Sequence, residues 1–127
     1  MRFIALFLLT GLLAFALDLF LPWWAVAIAG FAPALFLRLK GALPHFLAAF
    51  LGAGLVWTIL SILSFYGDGH IIASRMAKLF SLTSGFYLTI LAGLIAGFTA
   101  GFAAVTGFTF LELINASSTE KATTSRA

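Results

Sequence analysis

Long apolar runs separated by short polar stretches dominate this chain. Four runs have the length of membrane-spanning helices: residues 3–20, 23–38, 44–66 and 86–113. As helices they would measure about 27, 24, 34 and 42 Å, against a bilayer core of about 30 Å. The pattern predicts an all-α membrane protein in which four transmembrane helices form two hairpins.

Short turn-forming segments connect these runs. Phe20–Pro22 predicts a tight turn between the first two helices, because proline is favoured in the first turn of a helix. Gly41 is expected to cap the second helix and Pro44 to begin the third. A signal peptide cleaved after Ala16 is the competing interpretation of the N-terminus. Asp18 and the turn that follows it favour the hairpin.

The segment 65–82 (FYGDGHIIASRMAKLFSL) lies between the third and fourth runs and mixes charged with apolar residues. From His70 onward, apolar side chains cluster on one side of a predicted helix and polar ones on the other. This is typical of a short amphipathic helix that lies in the headgroup layer. Asp68 is expected to cap its N-terminus, and Ser84 that of the following span.

Composition supports a membrane location and excludes several kinds of site. Only 9% of residues are charged and 63% are hydrophobic, whereas a soluble domain carries about 25% charged residues. The chain has no cysteine, which excludes disulfides and thiolate ligands. His45, expected as an interfacial side chain, and His70 lie at opposite ends of the third helix, so we expect no metal and no cofactor. The basic residues are few and scattered, so no nucleic-acid partner is expected.

Basic residues are unequally divided between the two sides of the predicted fold. Arg2, Arg38, Lys40, Lys121 and Arg126 share a side with both termini, whereas Arg75 and Lys78 lie on the other. By the positive-inside rule, both termini are expected in the cytoplasm. Residues 1–114 would form a single transmembrane domain, and the small polar tail 115–127 would be disordered.

The fourth run carries a stripe of small residues. Gly93, Gly97 and Gly101 are four apart, a double GxxxG, and Ala100 and Ala104 fall on the same half of the helix. Small residues let backbones approach closely in lipid, where apolar burial alone gives helices little reason to associate. We therefore predict that these residues form a helix-packing face. Its partner could be another span of the same chain, a second copy or another subunit.

The best candidate for a polar site lies on the predicted outer surface. It comprises one residue at the end of the first helix and four from the segment 65–82: Asp18, Asp68, His70, Arg75 and Lys78. A carboxylate near the acyl region needs a partner, so Asp18 is expected to pair with a basic side chain of this group. The simplest interpretation is that the group anchors the amphipathic helix; partner docking and substrate binding are the alternatives. No catalytic residue is identified.

Three segments carry a resemblance to known proteins: LPWW (Leu21–Trp24), SRMAKLF (Ser74–Phe80) and AGLIAGFTAGFAAVTG (Ala92–Gly107). With them, the chain resembles small uncharacterised four-span membrane proteins of bacteria. The resemblance implies a multi-pass protein of the bacterial inner membrane, and it carries over no activity.

The function that we expect is non-enzymatic. The chain would be an accessory or scaffold subunit of a larger membrane complex, in contact with the lipid bilayer and bound to other subunits or to itself through the glycine-rich face. The alternative is a small homo-oligomeric channel or transporter with the amphipathic helix as an outer lid. A lipid-modifying enzyme built around His70 is a third alternative.

Overall fold

A computed structural model describes residues 1–127 as an all-helical fold without strands. Its five α-helices are α1 (Arg2–Asp18), α2 (Ala25–Phe36), α3 (Ala42–Ser64), α4 (His70–Leu79) and α5 (Phe86–Arg126). A π-helical segment, Phe65–Gly69, connects α3 to α4. The prediction of an all-α fold is confirmed, and a short helix is present at the predicted place before the last long one.

Four of the helices form a ring in which each packs on two neighbours. α3 packs on α1 and, most extensively, on α5, while α2 closes the ring between α5 and α1. α2 and α3 lie diagonally across the ring and touch only slightly. α4 lies outside the ring, beside the beginning of α5. The ring of helices therefore has two ends. α4 lies at one end, and the α2–α3 loop lies at the opposite end.

Two helical stretches are long and apolar enough to cross a membrane. One is Ala42–Leu79, which comprises α3, the π-helical segment with a kink at Gly67, and α4; the other is α5. α1 has 17 residues and α2 has 12, which corresponds to about 26 and 18 Å. α2 is shorter than predicted because Leu37 adopts an extended backbone, with φ of −106° and ψ of 100°. By length and composition, the structure supplies two candidate spans where the sequence predicts four.

Small side chains fill the centre of the ring. Nine buried residues form this core: Ala14, Val26, Ala29, Ala34, Ala49, Ala53, Ala96, Ala100 and Ala104. Alanine keeps the distance between helix backbones short, so the attraction between helices comes from closely spaced backbone and methyl contacts. The large leucine, isoleucine and phenylalanine side chains mostly lie on the outside of the ring.

The helix ends differ in part from those predicted. The N-cap of α4 is Gly69, and Asp68 makes no capping hydrogen bond because it lies within the π-helical segment. Gly41 is the N-cap of α3 and does not end α2; its φ of +100° is one that favours glycine. The Ser84 hydroxyl does serve the start of α5, because it accepts a hydrogen bond from the Phe86 N–H at 3.3 Å.

The end of the chain is helical in the structure, where the sequence predicts a disordered tail over 115–127. α5 continues to Arg126. Hydroxyl groups in this part donate to carbonyl groups one turn back, as Thr119 does to Asn115 at 3.0 Å, so polar side chains are satisfied within the helix. No glycine or proline follows Gly107 to end it. Every residue from Glu112 onward is exposed.

Candidate functional site

The predicted packing face of α5 is buried inside the chain. Gly93, Gly97 and Gly101 face α3, opposite Thr58, Phe50 and Phe46 respectively. A Cβ on Gly97 would lie 2.9 Å from the Phe50 carbonyl oxygen, which shows how closely α3 and α5 approach. For these glycines, the structure therefore shows packing against another helix of the same chain.

The alanines of the same face lie in the core. Ala100 and Ala104 have no exposed surface, and Gly30 of α2 packs on the Ala100 backbone. α2 and α3 together cover the whole predicted face. All five residues of this face are buried within the chain, whereas the sequence left a second copy or another subunit open as its partner.

The five polar residues predicted at the outer surface do not form one site. Asp18 lies at the end of α1 and borders a cavity, whereas Asp68, His70, Arg75 and Lys78 do not. His70 Nδ1 lies 3.1 Å from the Gly67 carbonyl oxygen, and no hydrogen bond joins any two of the five. All five are exposed.

The orientation of α4 explains why Asp18 lacks its expected basic partner. Ile72 and Met76 of α4 border the cavity. On a helix with 3.6 residues per turn, Arg75 and Lys78 then fall largely on other sides. The apolar face of α4 is turned toward the ring, and the charged face is turned away from it.

The cavity beneath α4, which we call the outer cavity, has a volume of about 500 Å³. Asp18 is its one charged wall residue, and hydroxyl groups come from Ser61, Ser64 and Thr89. Trp57 also borders it, and the indole N–H of Trp57 is buried without a hydrogen-bond partner. The outer cavity is thus mainly apolar, with a few polar groups at its walls, as ligand cavities commonly are.

The opposite end of the ring contains a buried histidine, for which the sequence predicts a place at the membrane surface. His45 has no exposed surface. Its Nδ1 donates to the Gly41 carbonyl at 2.7 Å, and its Nε2 accepts from the Leu39 N–H at 3.2 Å. The ring stacks on Phe108 of α5, with centroids 4.5 Å apart. His45 therefore attaches the α2–α3 loop to two helices. The available indication of this role in the sequence is that His45 lies four residues after Gly41, at the start of a helix.

Beside this loop lies a groove of about 570 Å³, which we call the inner groove. The α2–α3 loop forms one wall, with Arg38, Leu39 and Lys40, and α5 forms the other, with Phe108, Leu111, Glu112 and Asn115. Arg2 also reaches the loop, because its guanidinium donates to the Arg38 carbonyl at 3.4 Å. In the sequence these basic residues indicate orientation only, and nothing in their spacing predicts that they share a groove.

A third concave surface, which we call the lateral groove, lies on the outside of the ring between α1 and α3. It has a volume of about 550 Å³ and is lined almost entirely by apolar side chains. Gly11 and Gly52 lie where the two helices cross, and a Cβ on Gly52 would come within 2.5 Å of the Phe7 carbonyl oxygen. This close crossing leaves the larger side chains on either side as the walls of the groove.

Comparison with known proteins provides no family for this chain. No family model, no curated protein and no solved structure matches it. No three histidine, aspartate or glutamate side chains come together as a candidate metal site.

Proposed function

We propose that this chain is a four-span protein of the bacterial inner membrane with both termini in the cytoplasm. α1 and α2 pack side by side with the two candidate spans in one ring, which supports their sharing the same membrane. α1 is about 26 Å long, close to the thickness of the hydrocarbon core. Trp23 and Trp24, both exposed in the turn after α1, suit the interface with water.

Single cysteines introduced into this cysteine-free chain test the topology. Phe20→Cys lies in the α1–α2 turn, Ser74→Cys on α4 and Ser125→Cys near the end of α5, and all three positions are exposed. With four spans, a membrane-impermeant maleimide labels the first two from the periplasmic side and the third only after lysis. Labelling of Ser74→Cys without Phe20→Cys would mean two spans and would refute the four-span topology.

Within this membrane fold, we propose a non-enzymatic role as an accessory or scaffold subunit that binds a transmembrane helix of another subunit. The lateral groove carries the proposal, because α2 and α3 already cover the glycine face. Its walls include Phe7, Leu8, Leu12, Leu55 and Ile59. A helix seated there would gain dispersion contacts with ordered side chains, which mobile acyl chains supply less well.

Filling the lateral groove tests this role. A photo-reactive amino acid at Ile59 should cross-link to a discrete protein band in membranes, and Leu12→Trp should abolish that band by occupying the groove. Leu94→Trp is the matched control, because Leu94 is also an exposed leucine but lies on α5. Cross-links to lipid alone, or a band that survives Leu12→Trp, would contradict the role.

A channel or transporter with α4 as a lid is the second candidate, and the outer cavity favours it. The chain breaks on both sides of α4: Gly67 has non-helical φ and ψ of −85° and −138°, and Ser81 has a φ of 55°. Two such breaks would let α4 move as a unit over Asp18. Purified protein in liposomes should then show solute flux that Asp18→Asn reduces and Asp68→Asn does not. Flux equal to that of empty liposomes would reject this candidate.

A further inference from the structure

The two walls of the inner groove carry opposite chemistry. The loop wall presents the cationic side chains of Arg38 and Lys40, and the α5 wall presents Glu112 and Asn115. All four are exposed, so their charged and polar ends are accessible. A ligand that matches both walls must carry a negative group on one side and a positive hydrogen-bond donor on the other.

Asn115 contributes an acceptor to its wall. Its side-chain amide nitrogen donates to the Leu111 carbonyl at 2.8 Å. A carbonyl cannot donate, so this contact requires the NH₂ group and leaves the amide oxygen of Asn115 to accept. With the carboxylate of Glu112 one turn earlier, the α5 wall offers two oxygen acceptor groups beside the second N–H of the Asn115 amide. Such a wall suits an ammonium group, which has three donors.

The opposite wall is held in place from below. His45, buried beneath the loop, bonds to the backbone on both sides of Lys40, at Leu39 and Gly41. Because the backbone of the cationic residues is fixed, a ligand would not have to order the loop on binding. Leu39, Phe108 and Leu111 supply apolar surface between the two walls, against which glycerol and acyl carbons can pack.

We infer that the inner groove binds the headgroup of an amine-bearing phospholipid. Arg38 and Lys40 hold the phosphate, and Glu112 and Asn115 hold the ammonium. Basic grooves between transmembrane helices on the cytoplasmic side are suited to phospholipid headgroups, and Glu112 adds selectivity for a zwitterion over a purely anionic lipid. The inference needs this end of the ring to lie in the headgroup layer; it does not depend on a partner subunit.

Lipid binding to the purified full-length chain tests the inference. The probes are phosphatidylethanolamine, phosphatidylcholine and phosphatidylglycerol with identical acyl chains, titrated into detergent and followed by native mass spectrometry. Phosphatidylethanolamine should bind several-fold more tightly than the other two. Phosphatidylcholine has the same net charge but no N–H donor, and phosphatidylglycerol has no amine. Equal binding of all three, or preference for either of the others, would overturn the inference.

Paired variants assign the two walls. Arg38→Gln with Lys40→Gln should weaken phosphatidylethanolamine binding about 25-fold, at about fivefold for each basic residue near the headgroups. Lys121→Gln with Arg126→Gln makes the same charge change in the distant part of α5 and should leave binding unchanged. An unaffected Arg38/Lys40 variant would overturn the site.

The acidic wall has its own matched pair of variants. Glu112→Gln should weaken phosphatidylethanolamine binding and remove most of its preference over phosphatidylglycerol, because the carboxylate that attracts the ammonium and repels an anionic lipid is lost, whereas Glu120→Gln should alter neither. Retention of the preference in Glu112→Gln would overturn the assignment of the ammonium. The final experiment is a competition with inorganic phosphate. If phosphate displaces the lipid at equal concentration, the groove is a site for free phosphate and not for a lipid.

Discussion

Gly30 of α2 lies directly against the backbone of Ala100 of α5. A Cβ on Gly30 would come within 2.8 Å of the Ala100 Cα and 2.9 Å of its carbonyl carbon. Both residues are buried, and Ala100 has no exposed surface. The neighbour here is main chain, which cannot rotate aside as a side chain can, so α2 and α5 would have to separate to admit one methyl group.

Gly30→Ala is therefore expected to destabilise the fold by about 1–3 kcal/mol, despite the better helix propensity of alanine. Thermal unfolding in detergent, followed by circular dichroism, measures the change. Ala5→Val, which adds bulk at an exposed position of α1, should shift stability by less than about 0.5 kcal/mol. A Gly30→Ala variant as stable as the wild type would mean that α2 and α5 pack less closely than described.

Gly93 and Thr58 should be coupled energetically across the α3–α5 contact. A Cβ on Gly93 would collide with the Thr58 hydroxyl oxygen, which donates to the Gly54 carbonyl at 2.7 Å. Gly93→Ala should be strongly destabilising, and Thr58→Ala should relieve part of the loss by removing that oxygen. We expect a coupling of at least about 0.5 kcal/mol in a double-mutant cycle. The control combines Gly93→Ala with Thr99→Ala, at a partly exposed position of α5. The effects of these two substitutions on stability should be additive.

The order of helices and the face of α5 could be predicted because both are local properties. Apolar runs give the approximate bounds of the helices, and the spacing of Gly93, Gly97 and Gly101 places them on one side. The partner of that face could not be predicted, since a flat face of small residues fits almost any helix. Only the three-dimensional arrangement shows that α3 and α2 occupy it.

The hydrogen bonds of His45 should contribute to stability in addition to the stacking of its ring on Phe108. His45→Phe keeps an aromatic ring against Phe108 but leaves the Gly41 carbonyl and the Leu39 N–H without their partner. The expected loss is about 1–3 kcal/mol, because two part-buried hydrogen bonds of about 0.5–1.5 kcal/mol each are removed. His70→Phe is the control, because His70 is exposed, and it should change the unfolding temperature little. Equal effects of the two substitutions would contradict the role assigned to His45.

Ser81 is the one non-glycine residue with positive φ, at 55°, and this is expected to cost about 1–2 kcal/mol. Glycine adopts this backbone without that cost but loses about 0.5–1 kcal/mol in chain entropy. Ser81→Gly should therefore be neutral to slightly stabilising, and Ser81→Val clearly destabilising. Ser74→Val, on the exposed side of α4, should cost only a few tenths of a kcal/mol. If Ser81→Val were tolerated, the chain would have to leave α4 through a different turn.

The polar surfaces were less predictable than the helices. Asp18 and the charged residues of α4 were expected together because they fall on one predicted side of the membrane, yet the rotation of α4 about its axis separates them. Arg38 and Glu112 are 74 positions apart in the chain, and nothing in the local pattern of either indicates the other. Their proximity follows from the packing of α2 on α5 and from the hold of His45 on the intervening loop.

The length of α5 has a consequence for what its far end can contact. From Glu112 to Arg126 the helix rises by roughly 21 Å, more than twice the screening length of about 8 Å in physiological salt. In the proposed orientation, Arg126 is lifted out of reach of the lipid charges and faces molecules dissolved in the cytoplasm. The last three turns would form a rigid helix that projects from the membrane. A molecule bound at its end would be held at a fixed distance from the surface.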